Sequence, residues 1–78
     1  MGRYELRPNF VFTVTREGDR LVTQATGQPQ IEIRPLSETR FFAVGPEAEI
    51  SFVRNEKGEV DKLILHQGGR DQPAKRLP

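Results

Sequence analysis

Cysteine is absent from the 78 residues, so neither a disulfide framework nor a thiolate metal site can hold the chain together. Its redox compartment is left open for the same reason. Histidine occurs once, at His66, and a lone imidazole without clustered carboxylates makes a poor metal site. No apolar run approaches the roughly 20 residues that span a bilayer as a helix. The opening Met1-Gly2-Arg3-Tyr4-Glu5-Leu6 reads as strand from its start and not as a signal peptide. Neither sign of charge dominates: 12 basic residues face 11 acidic ones, with no basic stripe set apart. That balance argues against nucleic acid and anionic membrane as partners. Hydrophobic residues are also scarce, at 35%, where globular domains average about 45–50%. A sheet with one wet face accommodates that shortfall better than a deeply layered fold does. A chain this short forms one domain and buries only about 60–65% of its unfolded surface.

What the chain has is punctuation. Short strand-like runs recur from end to end at Arg3–Leu6, Phe10–Thr15, Leu21–Thr26, Ile31–Pro35, Arg40–Val44, Glu49–Arg54, Val60–Gln67 and Pro73–Leu77. Turn residues separate them: Arg7-Pro8-Asn9, Glu17-Gly18-Asp19, Gly27-Gln28-Pro29, Pro35–Glu38, Gly45-Pro46, Asn55-Glu56-Lys57-Gly58 and Gly68-Gly69. Runs of this length bounded by Gly, Pro and Asn predict an all-β antiparallel meander of about eight strands with no helix. Such a meander leaves two unpaired edges unless it curls into a small barrel or a coiled half-barrel.

Alternation within the runs assigns the faces. Phe10, Phe12, Leu21, Ile31, Ile33, Ile50, Phe52, Leu63 and Leu65 converge on one core in this reading. Adjacent Phe41 and Phe42 must face opposite sides of a strand. One belongs to the core and the other, with Ile64 and Val53, to an outer apolar patch, unless a bulge tucks both rings inside.

Little in the chain suggests catalysis. The serines are Ser37 and Ser51, and neither lies in a Gly-x-Ser-x-Gly elbow or a Ser-x-x-Lys box. His66 stands mid-strand opposite the Leu63 and Leu65 face, and nothing adjacent in sequence orients it as a base. It reads as a partner-facing histidine. Glu47, Glu49, Glu56, Glu59 and Asp61 could be imagined as paired carboxylates for glycoside chemistry. A solvated edge paired with Arg54 and Lys62 is the simpler reading. Gly27 and the Gly68-Gly69 pair are turn glycines, since no helix follows to make a phosphate cradle. The expectation is therefore no catalytic, cofactor or metal site, and a candidate partner surface of Phe41, Phe42, His66 and Gln67.

One further pattern runs through the chain: Tyr4-Glu5-Leu6, Leu21 with Gln24, Thr26-Gly27-Gln28-Pro29, Pro35, Ser37-Glu38, Phe41-Phe42, Ala48, Ile50-Ser51-Phe52, Gly58, Leu65-His66-Gln67-Gly68, Ala74 and Arg76. In this order and spacing the residues resemble the DUF3471 family, the small domain found after the catalytic domain of many serine β-lactamase-like hydrolases related to penicillin-binding proteins and esterases. The Thr-Gly-Gln-Pro turn and the Leu-His-Gln-Gly segment are its most specific pieces. Asn55 departs from the acidic residue that often opens this turn in the family, and the residues that usually precede Tyr4 are absent. The resemblance implies a lipocalin-like barrel and a non-catalytic accessory domain, residues 1–78, excised from a larger chain. That domain would pack on the parent's catalytic domain or mediate oligomer contacts, and so shape access to the active site. A catalytic Ser-x-x-Lys would lie in an upstream domain. Two rivals from other classes remain: a carrier of a small apolar ligand, which requires a cavity in place of a filled core, and a nucleic-acid-binding barrel, which requires a basic aromatic face that the chain lacks.

Overall fold

The computed structural model of the chain describes Gly2–Pro78. Eight strands follow one another: β1 (Gly2–Arg7), β2 (Phe10–Glu17), β3 (Arg20–Ala25), β4 (Ile31–Pro35), β5 (Arg40–Ala43), β6 (Ala48–Arg54), β7 (Val60–Gln67) and β8 (Arg70–Arg76). Each pairs antiparallel with its neighbour in sequence, and β8 returns to β1, closing a barrel. The half-barrel alternative is thereby set aside.

Tight turns set the registers. Gly68 and Gly69 both have positive φ, 60° and 77°, and join Gln67 directly to its ladder partner Arg70. Positive φ at both central residues is the signature of the type I′ turn, whose twist matches that of the flanking strands. Asn55 opens the β6–β7 loop by accepting two backbone N–H groups at Oδ1, from Lys57 at 2.9 Å and Glu59 at 3.1 Å. An aspartate would present the same acceptor, so the departure from the family pattern keeps the turn chemistry.

The strand bounds differ from expectation chiefly at β8, which begins at Arg70 and not at Pro73. A proline cannot donate to a ladder and is confined to strand starts, edges and bulges. Here Pro73 pairs with Ile64 of β7, while the described register pairs between β8 and β1 are Tyr4 with Arg76 and Glu5 with Lys75, short of Pro73. On its β1 side Pro73 therefore lies along an open edge, where no ladder needs its missing N–H.

The core fills the barrel's middle. Tyr4, Phe12, Val14, Ala25, Ile33, Ile50, Leu63 and Ala74 are buried, with Phe10, Leu21, Phe41, Phe52 and Leu65 packed against them. The inward face anticipated from alternation is reproduced, with Ile31 half-buried at one mouth. Tyr4 and Ala74 join the core unannounced, because Arg3 and Glu5 flank Tyr4 and the residues around Ala74 in β8 are mostly polar. Burial of Tyr4 pushes its phenol pKa up, an effect the neighbouring Arg76 charge partly opposes.

Candidate functional site on the outer face of β5–β8

Four adjacent strands carry the chemistry-bearing residues, and their registers place those residues in rows. One row runs Phe42, Glu49, His66, Asp71 across β5, β6, β7 and β8, and the next runs Arg40, Ser51, Ile64, Pro73. Both rows alternate with core positions and so face outward. Phe42, Ser51, Val53, Ile64 and His66 are each half-buried there.

His66 is held at both ring nitrogens. Its Nδ1 lies 2.7 Å from Asp71 Oδ1, and its Nε2 lies 2.8 Å from Ser51 Oγ. An ionised carboxylate only accepts, so Nδ1 carries the proton and donates to Asp71. In the neutral imidazole this leaves Nε2 as the acceptor of the Ser51 hydroxyl. A serine, an imidazole and a carboxylate thus stand in the order of a nucleophile, its base and the base's orienting group. The expectation that nothing orients His66 is corrected: Asp71 does, from directly across the Gly68-Gly69 turn. The signal was in the sequence, since a two-residue turn placing Gln67 opposite Arg70 also places His66 opposite Asp71.

The rest of an acyl-transfer site is not assembled around Ser51. In nucleophile-elbow hydrolases the N–H following the serine holds the oxyanion. Here that group, Phe52 N–H, donates to the Thr39 carbonyl at 2.7 Å. Ser51 itself sits mid-strand between two ladders, to β5 and to β7, and not on a strained turn that would present it. Arg40, the register partner of Ser51 on β5, is engaged by Glu49 at 2.6 Å. Asp71 is solvated, with its side chain 73% exposed. The arrangement fixes an imidazole on a half-buried surface, while the N–H after Ser51 and the Arg40 guanidinium, two groups that could meet a developing negative charge, are both committed elsewhere.

The other anticipated surface residues separate. Phe42 shares the outer face with His66. Phe41 turns inward and packs edge-on against Phe52, with ring centroids 5.5 Å apart, so no bulge is involved and Phe41 does not belong to the surface. Gln67 follows the inward parity of Leu63 and Leu65 and lies at a barrel mouth, one residue past the outer row. Among the described residues no ion pair joins the acidic residues to Arg54 or Lys62 as expected. Glu49 pairs with Arg40, and Glu32 sits between Arg20 and Arg34. Among the described residues there is no cluster of side chains able to hold a metal ion and no helix long and apolar enough to cross a membrane.

Comparison with known sequences and structures adds three findings. Residues 1–76 match the family described as a domain of unknown function, DUF3471. The chain is 34% identical over 76 residues to penicillin-binding protein 4* of Bacillus subtilis (strain 168), a match that covers 97% of this chain but only 17% of the relative. No solved structure is matched.

Proposed function

Because the chain belongs to the DUF3471 family and corresponds to a small part of a penicillin-binding relative, we propose that it is a non-catalytic accessory domain of a serine β-lactamase-like hydrolase. It docks through the outer face of β5–β8 on the catalytic domain and shapes access to the active site. The observation that carries this reading is the composition of that face. Phe42, Val53 and Ile64 present half-buried apolar surface around an imidazole fixed from both sides by Ser51 and Asp71. A positioned aromatic beside an oriented hydrogen-bonding group matches the anchors that dominate protein interfaces, and holding His66 in one rotamer lowers the ordering cost of association.

The test is calorimetric titration of this chain against the separately produced catalytic domain of its parent. Phe42→Ala and His66→Ala are each expected to weaken association by about tenfold or more while leaving the circular dichroism melt close to that of the native chain. Unchanged affinity in both variants would remove this face from the interface. Turnover of a chromogenic ester by the pure chain would remove the non-catalytic reading.

A further inference from the structure

Ser51, His66 and Asp71 form a chain of hydrogen bonds whose direction is fixed at one end. The Asp71 carboxylate only accepts, so the neutral ring keeps its proton at Nδ1 and takes the Ser51 hydroxyl proton at Nε2. That bond uses the one proton the Ser51 hydroxyl has. Among the described residues Ser51 Oγ has no second partner, and the Asp71 side chain has none besides His66. Both residues reach the surface. The Asp71 side chain is largely exposed. Ser51 is half-buried and laddered along both edges of its strand, which leaves its outward side to carry its exposure. Toward a docked partner the neutral chain therefore offers lone pairs at Ser51 Oγ and at Asp71, and no hydrogen.

A second proton on the ring enters at Nε2 and donates to Ser51 Oγ. Serine then accepts from the ring, and its own hydrogen turns away from it. One proton on His66 thus converts Ser51 from an acceptor into a donor toward whatever covers it, with no heavy atom displaced. The charges that face the ring come from three neighbouring strands. On β6, Glu49 stands beside His66 in register and is held by Arg40 of β5. On β8, Asp71 holds Nδ1, and Arg70 precedes it at the end of the Gly68-Gly69 turn. Glu47 and Arg70 line the far part of the cleft that starts at His66. Along β7 itself the next outward charge is Lys62, beyond Ile64. The positive charge of a protonated ring falls between Glu49 and Asp71, which compensate it. The reversed hydroxyl is what remains for a partner to meet.

We propose that an N–H group of the docked catalytic domain donates to Ser51 Oγ, and that protonation of His66 reverses the Ser51 hydroxyl and weakens docking. This rests on the docking reading above and adds to it the hydrogen-bonding character of the partner and a control by protons. Imidazole suits that control, because it is the side chain whose charge changes between about pH 5 and 8. Two donors opposed across a contact that excludes water leave each other unsatisfied, which costs more than a hydrogen bond that is merely absent.

Two measurements test it. In the 78-residue chain alone, the long-range proton–nitrogen NMR spectrum of His66 reports which ring nitrogen holds the proton. The neutral ring should carry it at Nδ1. A neutral ring protonated at Nε2 overturns the proposal and leaves the docking reading in place. The second measurement is calorimetric titration against the parent's catalytic domain at steps from about pH 8 to about pH 5, with circular dichroism melts showing that each chain is folded throughout. Affinity of the native chain should fall by about fivefold or more, with a midpoint that matches the ring's own NMR titration. His66→Gln, neutral at every pH, should lose that step. Ser51→Ala should lose it too, and should bind about two- to tenfold more weakly than the native chain at the alkaline end, the worth of one hydrogen bond. Phe42→Ala should weaken docking at every pH and keep the step. A native affinity that stays level while Phe42→Ala still weakens it overturns the proton control and spares the docking face. A step that persists in His66→Gln assigns the protons to another group and overturns the proposal as well. Absence of binding by the native chain at every pH removes the docking reading, and this inference with it.

Discussion

Leu63 and Ile64 are chain neighbours of nearly equal volume on opposite faces of β7, and truncating each in turn tests the whole assignment of inside and outside. Leu63 is fully buried at the barrel's centre, paired laterally with Phe52 and Ala74. Leu63→Ala removes its contacts in a core that is thin from the outset and leaves a cavity that β-ladders on both sides prevent from collapsing. The expected cost is about 3–4 kcal/mol, within the range of buried leucine truncations. A chain of 78 residues has a total stability of about 4–12 kcal/mol by the usual per-residue scale. The loss is therefore a large fraction of the whole, and corresponds to a fall of at least about 12 °C in melting temperature. Ile64→Ala acts on the half-buried outer row between Ser51 and Pro73 and should cost no more than about 1 kcal/mol. Urea titration followed by circular dichroism at constant m-value measures both. Equal losses in the two variants, or a larger loss at Ile64, would mean that β7 is flipped and that the β5–β8 face described above is the core.

Two other outcomes follow from individual side chains. Tyr4 is the chain's single tyrosine and there is no tryptophan, so absorbance near 295 nm reports its ionisation alone. Burial raises its pKa, so the folded state holds the phenolic proton more tightly than the unfolded chain. The resulting stability is present in full below about pH 10, the ordinary tyrosine value, and is lost as pH rises through the higher folded-state value. Tyr4→Phe should abolish that part of the alkaline loss, and an ordinary titration midpoint in the folded chain would contradict the burial argument. Ser51, despite its contact with His66, should resist labelling by a fluorophosphonate, because the N–H that follows it is committed to the Thr39 carbonyl. Stoichiometric labelling at Ser51 that disappears in His66→Ala would show that the hydrogen-bonded chain activates the serine after all.

Much of the fold was legible because the chain states its strands twice, once in the alternation of residues such as Ile50, Phe52, Leu63 and Leu65 and again in the turn residues between them. The surface constellation was harder to read, and the difficulty lies at one peptide. Arg54 pairs with Val60 at the foot of the β6–β7 hairpin, but a bulge then shifts the register so that Val53 meets Lys62 and Ser51 meets Ile64. Extending the Arg54 pairing without the bulge would set Ser51 beside Leu63, on the wrong face, because a one-residue slip inverts every side chain beyond it. Nothing in Val53-Arg54 announces a bulge, so the approach of Ser51 to His66 emerges only in three dimensions. Tyr4 was obscured differently: Arg3 and Glu5 flank it, and its burial depends on β8 closing over β1 from the far end of the chain.

That closure carries a kinetic consequence. Every other strand contact in the barrel joins sequence neighbours across a short connection and can form early at small entropic cost. The β1–β8 seam joins opposite ends of the chain through two residue pairs and a hydrogen bond from Leu77 N–H to the Arg3 carbonyl at 2.7 Å. Its loop-closure cost grows as about (3/2)RT ln n with the length enclosed, and this seam encloses the longest stretch of chain in the barrel. The barrel should therefore zip from its hairpins and close last, and in the native state it should breathe first along this line. Amides of β1 and β8 will exchange with solvent sooner than those of β6 and β7. An opened seam bares two strand edges of matching register, which is the geometry through which one copy could lend its terminal strand to another.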